Sequence, residues 1–559
     1  MGKTTGAHLI CRALKLEGVK NIFALAGDHI LPVLDVIADQ DFRIIDTRHE
    51  QAAVHMADAW GRITEQPGVC MYTTPGFANA IPGLTNAMHT EGAVISIAGC
   101  ADTHDLGRGA QQEIDQVGMA GPMCKGSFMV NDVRRIPEFI ARAMRLAFSG
   151  RRGPVHLTIP IDVQEQTVEE NEIVFTSPDA YRPKESVLAD SGLIRRAVAL
   201  LREARKPLLI AGSAAGYTLF GDALQCFIEM TRLPVLTEEQ ARGLIPDDHP
   251  YAFGFFERGL NRAAAKVRDA DLVVLLGRKQ DFTLGFCRPP HVSANAKLIQ
   301  IDPSPAEIGR NRGVTVGMIG DVTSVLDQLT KEAANHIWKE LPWIEELRAA
   351  RSAQAEWTEK LARPSTPMHA LFVHKTIQSM LRPDDCIVFD GGDFCHFGRS
   401  LLPALKPKHW LYVSSLGMLG SSLPQALAAK VAYPDSRVIM LTGDGAFGFN
   451  AMEFDTAVRH KLNIVAILGN DSAWGIDRQI QLGLYGRSVA TDLLQTRYEQ
   501  VVQGLGGYGE FVERPEDLAP ALERAFASGK PALLNVAVER GISPRAEAAI
   551  GRRKAAAQK

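Results

Sequence analysis

Two aspartates in the last third of the chain are spaced so that they could share one metal ion. The apolar run 438–442 leads into Gly443-Asp444-Gly445-Ala446 and a predicted helix over 450–459, and a second apolar run, 464–468, ends at Gly469-Asn470-Asp471. The carboxyl ends of adjacent parallel strands meet at one edge of a sheet. Glycines before a helix let the backbone approach a phosphate, and carboxylates are ligands for Mg²⁺. The segment predicts a diphosphate and cation site, and two ordinary turns are the alternative.

This unit resembles the diphosphate-binding signature of thiamine-diphosphate enzymes. In that family the second metal ligand follows the first by 27 residues, as Asp471 follows Asp444 here. The resemblance implies thiamine diphosphate and Mg²⁺ as cofactors, with the backbone carbonyl of Ala473 as a further metal ligand. Asp471 replaces the usual Asn, and a carboxylate is an equally good ligand that makes the site more negative.

A second resemblance lies near the N-terminus, in Arg48-His49-Glu50-Gln51-Ala52-Ala53. A predicted strand ends here and a helix begins, as in the Arg-His-Glu-x-x-Ala segment of the same superfamily. The resemblance implies that Glu50 hydrogen-bonds the aminopyrimidine ring of the cofactor and so promotes loss of the thiazolium C2 proton. Taken alone, a glutamate in the first turn of a helix is more often a surface residue, and the pairing with Asp444 favours the catalytic role.

A third resemblance, Ser415-Leu416-Gly417-Met418-Leu419-Gly420, implies an apolar wedge under the cofactor. Leu419 aligns with the wedge, and the backbone of Gly417 and Leu419 would hold the pyrimidine. Trp474-Gly475, after the metal loop, is similar to benzaldehyde lyase. The implied cofactor-binding residues are Glu50, Gly417, Leu419, Gly443, Asp444, Gly445, Ala446, Asp471, Ala473, Trp474 and Gly475; the implied metal ligands are Asp444, Asp471 and Ala473.

The residues expected around the substrate match three different relatives of this superfamily. His29 and Gln111 align with active-site residues of benzaldehyde lyase, and Gln112 matches acetolactate synthase. Asp28 and Asp477 fall where pyruvate decarboxylase has acids. These five are the candidates for substrate contact and proton transfer, and a turn before the predicted helix 30–38 is the alternative for the pair at 28 and 29.

The resemblance covers residues 5–540 and is closest to the branch of acetolactate synthase, benzaldehyde lyase and 2-hydroxyacyl-CoA lyase or oxalyl-CoA decarboxylase. It implies a carbon–carbon lyase or carboligase acting on 2-oxo acids or 2-hydroxy ketones, with an acyl-CoA lyase or decarboxylase as the alternative enzyme. A non-catalytic regulatory homologue is the alternative of another class. Active sites between subunits of a homodimer or homotetramer are also implied. The central unit could hold ADP or FAD, with Asp302 facing a ribose and Arg151 a phosphate, or it could be empty. The Gly-Met-His-Gly stretch typical of the FAD-binding synthases is not found, which favours ADP or an empty site over FAD.

The elements that must position these residues alternate between short apolar strands and helices. That pattern predicts an α/β protein of three doubly wound parallel-sheet domains. Their predicted bounds are 1–166 (pyrimidine-binding), 187–332 (central, nucleotide-binding-like) and 366–541 (diphosphate-binding), with a basic, mobile tail over 542–559. Connectors are expected at 167–186, which is polar and weakly periodic, and at 331–366, which is a charged helical stretch. Predicted strands cover 69–72, 94–98, 155–159, 208–211, 272–276, 297–301, 387–390, 438–442, 464–468 and 532–538.

Composition narrows the class of protein. The 559 residues are 46% hydrophobic and 22% charged, with a formal net charge of −3, so nucleic acid is not an expected partner. No apolar run is long enough to span a membrane, and the N-terminus lacks the apolar core of a signal peptide. Eight scattered cysteines favour a reducing cytoplasm.

The glycines of Gly504–Gly509 match the Gly-x-Gly-x-x-Gly pattern of dinucleotide-binding proteins. The segment follows a predicted helix rather than a strand, so we interpret it as the end of that helix and a turn.

Overall fold

The computed structural model describes residues 2–182, 186–219 and 222–557. Three six-stranded parallel sheets follow one another along the chain, each covered by helices on both faces. The predicted fold class is therefore confirmed. Pro183–Glu185, at the end of the predicted connector 167–186, lie outside the described residues. No helix in the described ranges is both long and apolar enough to cross a bilayer.

The N-terminal sheet has the strand order β3-β2-β4-β5-β7-β6, and β1 pairs with β8 in a separate antiparallel ribbon. The strands are β1 (Lys3–Thr5), β2 (Asn21–Ala24), β3 (Arg43–Asp46), β4 (Gly68–Tyr72), β5 (Val94–Cys100), β6 (Gly126–Met129), β7 (Val155–Pro160) and β8 (Thr167–Glu169). The helices are α1 (Gly6–Leu16), α2 (Leu31–Ala38), α3 (Glu50–Thr64), α4 (Thr74–Thr90), α5 (Gln116–Ala120), α6 (Ile136–Phe148), α7 (Ile161–Glu165) and α8 (Pro178–Tyr181).

The central sheet has the order β11-β10-β9-β12-β13-β14. Its strands are β9 (Pro207–Ala211), β10 (Val235–Thr237), β11 (Ala252–Phe255), β12 (Leu272–Leu276), β13 (Lys297–Asp302) and β14 (Val316–Ile319). The helices are α9 (Ser191–Glu203), α10 (Ser213–Thr218), α11 (Ala223–Thr231), α12 (Arg262–Ala265), α13 (Val322–Ala333) and α14 (Trp343–Leu361). Helix α14 lies in the predicted connector 331–366, and it buries Trp343 and Leu347 against the central core.

The C-terminal sheet has the order β16-β15-β17-β18-β20-β19. Its strands are β15 (Cys386–Phe389), β16 (Trp410–Tyr412), β17 (Val438–Gly443), β18 (Val465–Asn470), β19 (Tyr508–Val512) and β20 (Ala532–Ala537). The helices are α15 (Ala370–Ser379), α16 (Asp393–Leu401), α17 (Ser422–Ala432), α18 (Asp444–Phe447), α19 (Glu453–Arg459), α20 (Gly475–Tyr485), α21 (Tyr498–Gly504), α22 (Pro515–Ala527) and α23 (Pro544–Ala557).

Two sequence predictions need correction in this domain, and one interpretation is confirmed. The helix expected over 450–459 begins only at Glu453, and the separate single turn α18 precedes it. The tail expected to be mobile from Ile542 instead forms helix α23 through Ala557, with Ala546 buried. Gly504–Gly509 joins α21 to β19, as the turn interpretation predicted.

The first and last domains share one continuous apolar core. Side chains of α3 and α17, such as Val54 and Ala426, belong to the same buried cluster. Polar contacts reinforce this junction, because the backbone N–H of Arg48 donates to Glu453 and the guanidinium of Arg459 to Asp46. The end of β3 is therefore tied to the C-terminal domain of the same chain.

Candidate active site

Asp444 and Asp471 meet at the carboxyl edge of the C-terminal sheet. Strands β17 and β18 are hydrogen-bonded neighbours, with Gly443 opposite Gly469, so the residues that follow them emerge side by side. Asp444 opens α18 and Asp471 follows β18 directly. The backbone N–H of Ala473 donates to Oδ2 of Asp444 over 3.2 Å, which binds the second loop to the first carboxylate.

The two carboxyl groups are crowded enough to disturb each other's ionisation. Burial, with the charge of Asp471 added to it, raises the pKa of Asp444 to about 7. Burial likewise raises the pKa of Asp471 to about 6, against the lowering effect of Arg540. Two acids side by side, of which Asp444 is buried and Asp471 half-buried, favour sharing one proton or one cation. A divalent cation between them would remove the repulsion and let both ionise.

Small residues keep the space beside these carboxylates open. A Cβ on Gly475 would come within 2.6 Å of Asp471 Oδ2, and a Cβ on Gly445 within 2.8 Å of the Trp474 ring. The resulting cavity has a volume of about 120 Å³. It is lined by nine of the implied cofactor-binding residues, namely Leu419, Gly443, Asp444, Gly445, Ala446, Asp471, Ala473, Trp474 and Gly475, and also by Asp477. Gly417 lines the cavity that adjoins it.

Glu50 lies in the other domain and does not line this cavity. It is the first residue of α3, with only 7% of its surface exposed, and its Oε2 accepts a hydrogen bond from Asn79 Nδ2 over 3.1 Å. A Cβ on Gly76 would come within 2.6 Å of its carboxylate, so a larger residue there would displace the group. The first turn of α3 therefore carries a buried carboxyl group whose orientation is fixed by Asn79 and by the lack of a side chain at Gly76.

Comparison with known proteins identifies the family. The chain matches the family descriptions "Thiamine pyrophosphate enzyme, N-terminal TPP binding domain" at residues 4–119, "central domain" at 194–329 and "C-terminal TPP binding domain" at 390–536. The acetolactate synthase large subunit IlvG of Mycobacterium tuberculosis is 33% identical over 96% of both chains. The 2-hydroxyacyl-CoA lyase 1 of Mus musculus is 32% identical over 96% of this chain and 94% of that one. Oxalyl-CoA decarboxylase of Escherichia coli is 30% identical over 96% and 95%.

The chain belongs to the thiamine-diphosphate-dependent enzymes. It is an enzyme of the carboligase, lyase or decarboxylase type, and the resemblance found in its motifs is confirmed. The residues present fit the cofactor: the open cavity beside the buried Asp444 and the half-buried Asp471 suits a diphosphate with its cation. When bound, thiamine diphosphate supplies an electron sink next to the reacting carbonyl carbon.

His29 is buried in a polar network of the N-terminal domain. Its ring Nδ1 lies 3.0 Å from Thr73 Oγ1 and 3.3 Å from Thr74 Oγ1. Gln116 Nε2 donates to the same Thr74 hydroxyl over 3.1 Å, and its Oε1 accepts from Thr158. Hydroxyl groups that both donate and accept can pass a proton along such a chain. The alternative of a turn also fits, because His29 lies in a single turn of 3₁₀ helix before α2.

The other substrate candidates are exposed in the single chain. Asp28, Gln111 and Gln112 face solvent, and Asp477 lies in the first turn of α20 at the rim of the diphosphate cavity. Gln112 takes a left-handed backbone conformation, with φ of 59°. The structure thus places Asp477 in the same cavity as Asp444 and Asp471, the predicted metal pair, and leaves the N-terminal candidates apart from that cavity.

Sequence reasoning missed a second group of residues, on the segment after β15. The buried Asp390 accepts hydrogen bonds from the backbone N–H groups of Gly420 and Ser422, which holds the Leu419 turn in place. Asp393 opens α16 and lines the diphosphate cavity, and its burial raises its pKa to about 6. The signal was available, because Asp390-Gly391-Gly392-Asp393 follows a predicted strand at the sheet edge that carries Asp444.

The residues proposed for ADP or FAD are paired with each other. Arg151 forms an ion pair with Asp302 and another with Glu91, and it also donates to the carbonyl of Gly277. Binding a ribose or a phosphate through Arg151 and Asp302 would require this pair to open. The nucleotide site stays a prediction.

Proposed function

We propose that this enzyme uses thiamine diphosphate with Mg²⁺ to cleave or join a carbon–carbon bond next to a carbonyl, with small 2-oxo acids or 2-hydroxy ketones as substrates. The observation that carries the proposal is the pairing of the buried Asp444 with the half-buried Asp471 beside the turn that contains Leu419. In the proposal these two carboxylates and the Ala473 carbonyl hold the cation, and the backbone at Gly443–Ala446 holds the diphosphate.

The position of Glu50 supports a site formed by two copies of the chain. Glu50 is buried and oriented, yet it lies outside the cavity that holds the metal pair in its own chain. We propose that Glu50 of one subunit meets the diphosphate cavity of another, in a homodimer or homotetramer. His29 and the exposed Asp28, Gln111 and Gln112 would then reach the substrate from the same side as Glu50, opposite Asp477.

A second candidate, an acyl-CoA lyase or decarboxylase, is favoured by one observation. A further cavity of about 380 Å³ shares Glu257 and Arg545 with the cavity that Gly417 lines. Besides the acid Glu257, its lining contains four basic residues, namely Arg258, His291, Arg545 and Arg552. Such a cluster suits the phosphates of CoA. The matched relatives include proteins named for both reaction types.

The deciding experiment is a substrate panel with purified protein, with and without thiamine diphosphate and Mg²⁺. Pyruvate and longer 2-oxo acids test decarboxylation, benzoin-type 2-hydroxy ketones test cleavage, and 2-hydroxyacyl-CoA and oxalyl-CoA test the second candidate. We expect cofactor-dependent turnover in the first two groups. Turnover of the CoA compounds alone would select the second candidate, and turnover without the cofactor would contradict both.

A further inference from the structure

Arg399 is a buried cation without an anionic partner. It lies on α16 and is only 5% exposed, and its guanidinium forms no hydrogen bond or ion pair with any residue in the described ranges. Two aromatic rings lie against the guanidinium: the centre of the Tyr412 ring is 4.9 Å away and that of the Phe255 ring 5.8 Å away. A charge removed from water in this way is strongly disfavoured unless an anion compensates it. Cation–π contacts offset only part of that cost.

The guanidinium lines a cavity that continues from the diphosphate cavity. This second cavity has a volume of about 220 Å³. Gly391, Gly392, Leu419 and Ile476 line both cavities, so the two meet at the Leu419 turn. If Leu419 supports the cofactor, as the family resemblance implies, the reacting carbonyl would lie beside Leu419, where the two cavities meet. Arg399 would then lie further along the second cavity.

Two acids line the second cavity together with Arg399, and each lies against another arginine. Glu238 is ion-paired with Arg278, and Glu257 lies 3.7 Å from Arg545. A third acid, Asp393, lines the first cavity rather than the second. It lies 3.5 Å from His396 Nδ1, and its carboxylate oxygens have no hydrogen-bond partner among the described residues.

Two basic residues share the second cavity with Arg399. His396 lines it, and burial lowers the pKa of His396 well below its usual range, so its ring is neutral. Arg545 also lines the cavity and adds a second cation. The lining of the second cavity therefore holds two cations, Arg399 and Arg545, and two acids, Glu238 and Glu257. Of the two cations, Arg545 lies 3.7 Å from Glu257, while Arg399 has no ion-pair partner among the described residues.

We propose that Arg399 binds a substrate carboxylate remote from the reacting carbonyl, with Arg545 and His396 beside it. This inference rests on the proposed function and narrows its substrate class to small carbonyl compounds with a second carboxylate. A guanidinium presents two parallel N–H donors that match a carboxylate. A volume of about 220 Å³ lies below the ~300–1,000 Å³ of pockets for drug-sized ligands, so it suits a short acid rather than a nucleotide.

The first test measures binding without turnover. Isothermal titration of the holoenzyme with glutarate and with its mono-amide, glutaramate, compares ligands that differ at one terminal group. We expect at least ~10-fold tighter binding of glutarate in the wild type, and loss of that difference in Arg399→Met. Arg142→Met is the matched control, since Arg142 also lies over a ring, that of Phe128, but outside these cavities. Equal binding of the two ligands by the wild type would overturn the proposal.

The second test compares turnover of 2-oxoglutarate and its 5-amide, 2-oxoglutaramate. Arg399→Met should raise KM for the dicarboxylate and leave kcat/KM for the amide within about threefold. Removing an unpaired buried charge should not prevent folding, and Arg399→Lys, which keeps the charge, should recover part of the preference. Binding of CoA or inorganic phosphate that depends on Arg399, with no preference for glutarate, would overturn the carboxylate assignment.

The two tests separate this inference from the proposed function. Absence of cofactor-dependent turnover with every substrate would contradict the function, while the glutarate titration would still decide the role of Arg399.

Discussion

At the scale of single residues, Glu50 carries the sharpest prediction. Glu50→Gln keeps an oxygen that can accept the hydrogen bond from Asn79, so the fold and cofactor affinity should persist. The variant cannot share a proton in the same way, and we expect kcat to fall by about 10²–10⁴-fold. Steady-state kinetics with saturating cofactor measures the loss. The exposed Glu513→Gln is the matched control, and full activity of Glu50→Gln would contradict the assigned role.

A second residue-scale prediction concerns the ionisation of Asp444 and Asp471 in the protein without cofactor or cation. The native state holds extra protons on Asp444 and Asp471, whose pKa values are raised to about 7 and about 6. The stability of the cofactor-free protein should therefore fall as pH rises from about 4 to about 7. Asp471→Asn removes one charge, so its melting temperature should match the wild type at pH 5 and exceed it by about 2–4 °C at pH 8.

Melting curves at the two pH values test this directly. The exposed Asp435→Asn is the control, because it should show no pH-dependent difference. Mg²⁺ with thiamine diphosphate should stabilise the wild type more at pH 8 than at pH 5. If the melting temperature of Asp471→Asn instead exceeded that of the wild type by less at pH 8 than at pH 5, repulsion between the two carboxylates would not destabilise the cofactor-free protein.

At the scale of elements, helix α23 forms part of the second cavity. Ser543, just before it, contacts His396 Nδ1 over 3.3 Å, and Arg545 lies 3.3 Å from the other ring nitrogen. A chain ending at Gly541 should lose at least ~10-fold in kcat/KM and keep its cofactor affinity, because the diphosphate cavity receives no side chain from α23. A chain ending at Gly551 keeps Arg545 and serves as the control. Unchanged kcat/KM in the shorter chain would contradict a role for the helix.

At the scale of the whole molecule, the proposed shared site predicts complementation. Glu50→Gln and Asp444→Asn should each be inactive as homo-oligomers. In a mixed dimer one of the two sites would carry both substitutions and the other neither, so co-refolded or co-expressed chains should recover roughly a quarter of wild-type activity. Sedimentation would establish the oligomer. No recovery from verified mixed dimers would place Glu50 and Asp444 of the same chain in one site.

Whether a strand or helix can be predicted from the sequence depends on its length and on how apolar it is. Long, buried runs such as 438–442 and 272–276 were predicted as strands and are strands. The three-residue strand at Trp410–Tyr412 and the half-buried edge strand at Gly126–Met129 were missed, because short or edge strands lack a continuous apolar signal. The prediction of a mobile tail from Ile542 is wrong because the basic composition of the segment gives no sign of the few side chains, such as Ala546, that pack against the domain.

The sequence by itself determined the cofactor class and predicted the residues that would bind it, because the motifs that carry this information are short and lie at strand ends. The spacing of Asp444 and Asp471 is local chemistry and needs no distant partner. Only the tertiary structure revealed Gln116 beside His29, the separation of Glu50 from the metal pair, and Arg399 without an anion. These depend on which elements pack together and on which charges remain unpaired, and burial and ion pairing are properties of the folded chain.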